Sequence, residues 1–172
     1  MAILPIRIYP DPVLRVKCPP VEQFDAGLRK LAADMVETMH AAPGVGLAAP
    51  QVGVERRLAV VDTSVGEDPS QLQILVNPEI VRREGQEADI EGCLSLPGIN
   101  DKVDRPLAIT VRAQDLEGKR IELAAEGYLA RAICHEIDHL DGILFTDHLR
   151  GLRRGRARRQ LKRLAEEQEV TV

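Results

Sequence analysis

Between positions 25 and 41 the apolar residues Leu28, Leu31, Met35 and Met39 recur at helical spacing, with Asp25 placed to cap the first turn. Pro43 and Gly44 close that segment, and the period of the pattern then changes. Residues 44–53 (GVGLAAPQVG) form a loop of small side chains, while 56–63, 74–85 and 106–123 are rich in β-branched and aliphatic residues, as strands are. An Asn-Pro pair at 77–78 and a Glu-Gly pair at 117–118 interrupt the last two runs and read as turns. Helical spacing returns over 124–140, with Gly142 placed as the residue that stops it, and a last amphipathic helix is expected over about 147–167. A helix, then mixed strands, then helices is the order of an α+β fold. The expectation is mixed, mainly antiparallel sheets around a central helix, with an N-terminal and a C-terminal helix beside them.

At about 100° per residue, the helix over 124–140 separates into two faces. Leu129, Ile133, Ile137 and Leu140 share one stripe, and Tyr128, Ala132, His135 and His139 fall on the opposite side. Such a helix packs core on one side and offers polar chemistry on the other, which predicts a central, buried element.

Composition sharpens this in three ways. At 172 residues and 44% hydrophobic, the chain suits one globular domain over 1–172, and with 2% aromatics and no Trp its core must be aliphatic. No apolar run approaches the roughly 18 residues of a membrane span, and two early prolines break the N-terminus before a secretion signal could form. The three scattered cysteines, Cys18, Cys93 and Cys134, argue against a disulfide framework, so the cytoplasm is the expected compartment. The net charge of −4 is unevenly spread: from Asp147 onward eight basic side chains face four acidic ones, a segment of +4 on a body of −8. Such a segment is either a solvated helix face or a contact for phosphate backbone. Nothing in the chain implies sequence-specific DNA reading.

The candidate chemistry centres on His135-Glu136-Ile137-Asp138-His139, an H-E-x-x-H pattern that sets two imidazoles one helical turn apart with a carboxylate between them. Two histidines do not complete a metal site. The longer protease pattern needs a histidine six positions after the second, where this chain has Phe145. Downstream carboxylates at Glu166, Glu167 and Glu169 sit at the end of the basic segment; a third ligand from there would make the protein a small zinc peptidase. Upstream, Cys93 lies in Glu91-Gly92-Cys93-Leu94-Ser95, next to a turn-forming Leu-Pro-Gly, where backbone can approach a metal. A lone Cys in an aliphatic run is more often a small core residue, and both ligand sources stay open on these grounds. In the loop Gly44–Gln51 the small residues allow close backbone approach and Gln51 brings an amide donor; no Gly-Lys-Ser/Thr follows, so it is not a phosphate loop.

Taken together, GVGLAAPQ, EGCLS and HEIDH, complete and in this order, resemble the peptide deformylase family, and the likeness extends from DPVLR near the start to HLDGILF after the helix. The resemblance implies a metal-dependent hydrolase that removes the N-formyl group from the formylmethionine of new polypeptides and releases formate. It implies Cys93, His135 and His139 as metal ligands, Glu136 as the proton shuttle, and Gln51 and the Leu94 N–H as oxyanion donors. Gly46 and the Glu91-Gly92 edge would hold the peptide backbone by strand-like pairing, Val45, Tyr128 and Ala132 would line the methionine pocket, and Gly44 would belong to the same substrate site. A thiolate with two imidazoles suits one Fe(II), the ion the family uses in the cell, or Zn(II), Ni(II) or Co(II). The partners implied are N-formyl-methionyl nascent chains and, through the basic C-terminal helix, the ribosome. Asp138 would support the ligands, with Arg105 as its ion-pair partner. Some relatives carry an arginine where this chain has Asn100, so that contact with the peptide is not expected here. A metal-binding protein with a dead site is the non-enzymatic rival, and the presence of Glu136 and Gln51 speaks against it.

Overall fold

The computed structural model describes residues 2–170. Helix α1 (Ala26–Ala41) begins where expected, because the Asp25 side chain accepts the Leu28 N–H at 2.9 Å. It buries Leu28, Ala32, Met35 and Met39 against the first strands, and the N-terminal segment is tied along it by Ala2 N–H to Asp34 and Leu4 N–H to Thr38. Strands β1 (Gly46–Ala48), β2 (Leu58–Val61), β3 (Gln73–Glu84), β6 (Ala108–Gln114) and β7 (Arg120–Glu126) form one antiparallel sheet in the order β1-β2-β3-β6-β7. Strands β4 (Glu87–Gly92) and β5 (Asn100–Arg105) form a separate two-stranded ribbon. Helix α2 (Gly127–Leu140) packs across the sheet, and α3 (Gly151–Val170) ends the described chain. This is the α+β arrangement of helices and antiparallel sheets that the pattern predicts.

Within the expected loop 44–53, residues 46–48 become strand β1 by pairing with β2, and three boundaries also differ from expectation, each for a local reason. The Asn77-Pro78 pair is a bulge inside β3, not a turn: Asn77 takes φ +50°, its side chain bonds the Val21 backbone and Gln114, and the register shifts between Val76 and Glu79. Residues 124–126 belong to β7 rather than to the helix, because pairing of Ala124 with Thr110 and Ala125 with Ile109 overrides the helical preference of alanine. The chain turns into α2 only at Gly127, at φ +60°. At the C-terminus a short 3-10 turn (Phe145–His148) precedes α3, which starts at Gly151 instead of 147. The Glu117-Gly118 turn joins β6 to β7 as expected, closed by Gly118 N–H to Asp115.

The core is aliphatic and forms three main clusters: α1 with β1 and β2, α2 with the sheet, and a third beneath α3. Leu161 and Leu164 of α3 are buried in that third cluster, each contributing about 2 kcal/mol. Arg156 adds an ion pair to Asp101 of β5 at 2.8 Å.

Candidate metal centre

Helix α2 presents both histidines toward the sheet edge and the ribbon, on the face opposite Ile133 and Leu140. Cys93 follows directly on β4, in a turn closed by Leu96 N–H to the Cys93 carbonyl at 3.0 Å. The Cys93 Sγ lies 3.3 Å from His139 Nε2, which lies 3.2 Å from His135 Nε2. One ligand atom from each residue falls within 4.8 Å of the others, and among the described residues this is the one such group of His, Cys or acidic side chains.

The donor set fits a metal ion. His135 Nδ1 lies 2.8 Å from Glu91 Oε1; giving its proton there leaves the Nε2 lone pair facing Cys93 and His139. Two imidazole nitrogens 3.2 Å apart, beside a sulfur, need a cation or a proton between them. At His139, burial and then the neighbouring His135 charge push the pKa well below its ordinary value, favouring the neutral ligand form. Burial also pulls on His135, but its bonds to Cys93 and Glu91 outweigh that and hold it up. Three protein ligands with a side open to a cleft is the arrangement of a catalytic site.

Behind the ligands runs a charged network. Burial would raise Glu91, but Arg105 and His135 hold it ionised, with a pKa of about 2. Arg105 grips it through Nε at 2.8 Å and a terminal nitrogen at 2.9 Å, and reaches Asp138 at 2.6 Å, where His148 also bonds at 2.7 Å. The Asp138–Arg105 pair expected from the resemblance is therefore present.

Glu136 is buried, and its Oε2 has no hydrogen-bond partner among the described residues. Burial pushes its pKa up to about 7, with the His135 charge opposing. Gln51 sits in a 3-10 turn (Ala49–Val52) after β1, with its amide oriented: Oε1 accepts the Ala48 N–H at 3.0 Å, so the NH2 group faces Ser95 Oγ at 3.2 Å and Cys93 Sγ at 3.6 Å.

A cleft of about 320 Å³ opens over the site. Gly44, Val45, Gly46, Gly92, Leu94, Tyr128 and Ala132 line it, together with Cys93, His135, Glu136 and Gln51. The cleft also borders Glu91, whose carboxylate turns inward to His135 and the arginines. Tyr128 is exposed at the rim, and so is Ile90 across from it. Sequence reasoning passed over Ser95, His148 and Arg131. The last was detectable, as the one charged residue on the helical face one turn before His135.

A family model described as polypeptide deformylase matches residues 3–155. The chain belongs to the polypeptide deformylase family. It is 51% identical over 172 residues to the peptide deformylase of Alkalilimnicola ehrlichii, covering all of this chain and 96% of that one. To the peptide deformylase of Acidobacterium capsulatum it is 49% identical over 95% of this chain and 96% of the relative. The crystal structure of a peptide deformylase from Legionella pneumophila superposes with a TM-score of 0.89 at 46% identity, covering 98% of each chain. The family is one of metal-dependent hydrolases that remove the N-formyl group from nascent peptides. No helix among the described residues is long and apolar enough to cross a membrane.

Proposed function

We propose that residues 1–172 act as one catalytic domain in which Cys93, His135 and His139 hold a single divalent ion, Fe(II) in the cell, with Zn(II), Ni(II) or Co(II) able to replace it. The reaction is hydrolysis of the formamide at the N-formylmethionyl end of a nascent polypeptide, releasing formate. The observation that carries this reading is the thiolate-bis-imidazole group at the foot of a cleft that also holds Glu136 and Gln51. An ion held there supplies a Lewis acid and lowers the pKa of water toward about 7.

The chain's own groups do the rest. Glu136, with a pKa pushed to about 7, accepts the proton of the attacking water near neutrality and returns it to the leaving amine. The Gln51 NH2, oriented by the Ala48 N–H, and the main-chain N–H of Leu94 donate to the oxyanion that forms on the formyl carbonyl. Gly46 on one side of the cleft and Gly92 on the other offer strand edges for the peptide backbone, with Val45, Tyr128 and Ala132 enclosing the methionine side chain. The zinc-peptidase reading loses its support: Glu166, Glu167 and Glu169 lie exposed on the last turns of α3, while Cys93 stands beside the histidines.

On α3, Arg153 and Arg156 pair with Asp101, whereas Arg154, Arg158, Arg159, Lys162 and Arg163, with Arg150 just before the helix, are exposed. That face supports docking on ribosomal RNA, and hence a cytoplasmic place of action beside emerging chains.

The deciding experiment is formate release from formyl-Met-Ala by protein loaded anaerobically with Fe(II) or Ni(II). Release is expected from the wild type, and a loss of about 100-fold or more from Glu136→Gln with its metal retained. A wild type that holds metal and releases no formate would refute the assignment.

A further inference from the structure

Strand β4 carries the cleft edge at Ile90 and Gly92 and leads directly into Cys93. Its side chains give it almost nothing to stand on. Of its six residues only Glu91 is buried; Ala88 and Ile90 face solvent. The hydrophobic effect therefore cannot seat this strand, and a two-stranded ribbon has marginal stability by itself. Val103 of β5 is the ribbon's one apolar side chain in the core.

Arg131 supplies what the missing core does not. It projects from α2 one turn before His135 and is 5% exposed. One terminal nitrogen reaches Glu91 Oε2 at 2.8 Å, the Val103 carbonyl at 2.8 Å and the Asp89 carbonyl at 3.4 Å; the other reaches the Glu87 carbonyl at 2.7 Å. A single guanidinium thus joins both strands of the ribbon to the helix that bears the histidines. The planar fork makes this possible, since its donors point in fixed divergent directions that an ammonium cannot match. Arg105 also holds Glu91, but from within the ribbon, and its bonds run to the Glu91, Asp138 and His148 side chains. Both arginines therefore hold the carboxylate behind His135, and Arg131 alone also holds the strand backbone.

We propose that Arg131 is a positioning residue for the peptide: it sets the height of the β4 edge above α2, and so the width of the cleft between Gly92 and the metal helix. The proposal rests on the deformylase reading for its substrate, but its structural arm does not. Loss of the fork frees the edge that binds peptide while leaving His135 oriented by Glu91 and Arg105.

The test compares Arg131→Met and Arg131→Lys with wild type in steady-state hydrolysis of formyl-Met-Ala-Ser, in metal content, and in hydrogen exchange of the amides of residues 87–92. For Arg131→Met we expect KM to rise about tenfold with kcat within about threefold, metal content to hold, and exchange in β4 to quicken. Arg131→Lys, whose single ammonium cannot span the divergent acceptors of both strands, should fall between the two. A purely structural residue would lower the melting temperature and leave KM unchanged below it. A folded, metal-loaded Met variant with KM within twofold of wild type and unchanged exchange overturns the proposal. Should the Met variant not fold, the same two unchanged readings in Arg131→Lys overturn it. A wild type that releases no formate would count against the functional reading alone, since the exchange comparison still decides whether Arg131 seats the strand.

Discussion

A Cβ placed on Gly46 would come within 2.8 Å of Glu136 Oε1 and 2.9 Å of its Cγ. One on Gly44 would meet the Leu94 side chain at 2.9 Å. The glycines of GVGLAAPQ are thus spacers that let the loop lie against the proton shuttle and the Cys93 turn. Gly46→Ala should displace Glu136, lowering kcat about 100-fold while metal content stays at wild-type level; metal analysis beside formate kinetics would separate the two. Arg105 makes the opposite prediction. It is 5% exposed and bonded to the buried Glu91 and the partly buried Asp138, so Arg105→Ala leaves both carboxylates short of charge behind His135. Removal of one partner of a buried pair costs about 3–5 kcal/mol, and both the melting temperature and the bound metal should fall. A variant that loses stability but retains full metal would mean that the network does not orient His135.

At the scale of elements, β2 and β1 show how a loop is held beside the cleft. Asp62, just past β2, donates its N–H to the Val45 carbonyl, and its carboxylate takes the Ser64 hydroxyl at 2.6 Å, the His40 ring at 2.8 Å and the Gly66 N–H at 2.9 Å. Burial alone would raise this carboxyl, but the Ser64, His40 and backbone bonds outweigh it and hold the pKa below its ordinary value. A depressed folded-state pKa stabilises above the unfolded value of about 3.9, and that stability is lost as pH falls through the folded pKa. The denaturation midpoint of wild type should therefore exceed that of Asp62→Asn at pH 7, with the gap closing below about pH 4. A gap constant with pH would assign the effect to packing. The elements themselves were legible to different degrees. Helix α1 was, because its cap and apolar period lie within the segment. The β7–α2 boundary was not, since Ala124 and Ala125 favour helix and become strand only by pairing with β6.

Across the whole molecule, charge is divided between a closed interior network and an open face of α3. The apolar side of α3 is seated by Ala157, Leu161 and Leu164, so its outward arginines are available without loss of fold. Ribosome association should weaken steeply between 50 and 200 mM salt and disappear on deletion of residues 150–172, as sedimentation with ribosomes would measure. Equal association by the shortened chain would refute a role for α3. The sequence by itself determined the α+β class, the two histidines and Glu136 on one helical face, and, through three motifs in order, the family and the inclusion of Cys93. The fold class and the helical face follow from local periodicity and spacing, which a chain carries in its order of residues; the family and Cys93 came from the resemblance that the three motifs carry. Only the tertiary structure decided that Arg131 and His148 join the expected Arg105–Asp138 pair behind the ligands, and that the β4 ribbon hangs from a guanidinium instead of a core. The reason is physical: a buried charge is stable only where distant segments bring its partners within about 3 Å, and no local pattern of hydrophobic and polar positions encodes that meeting.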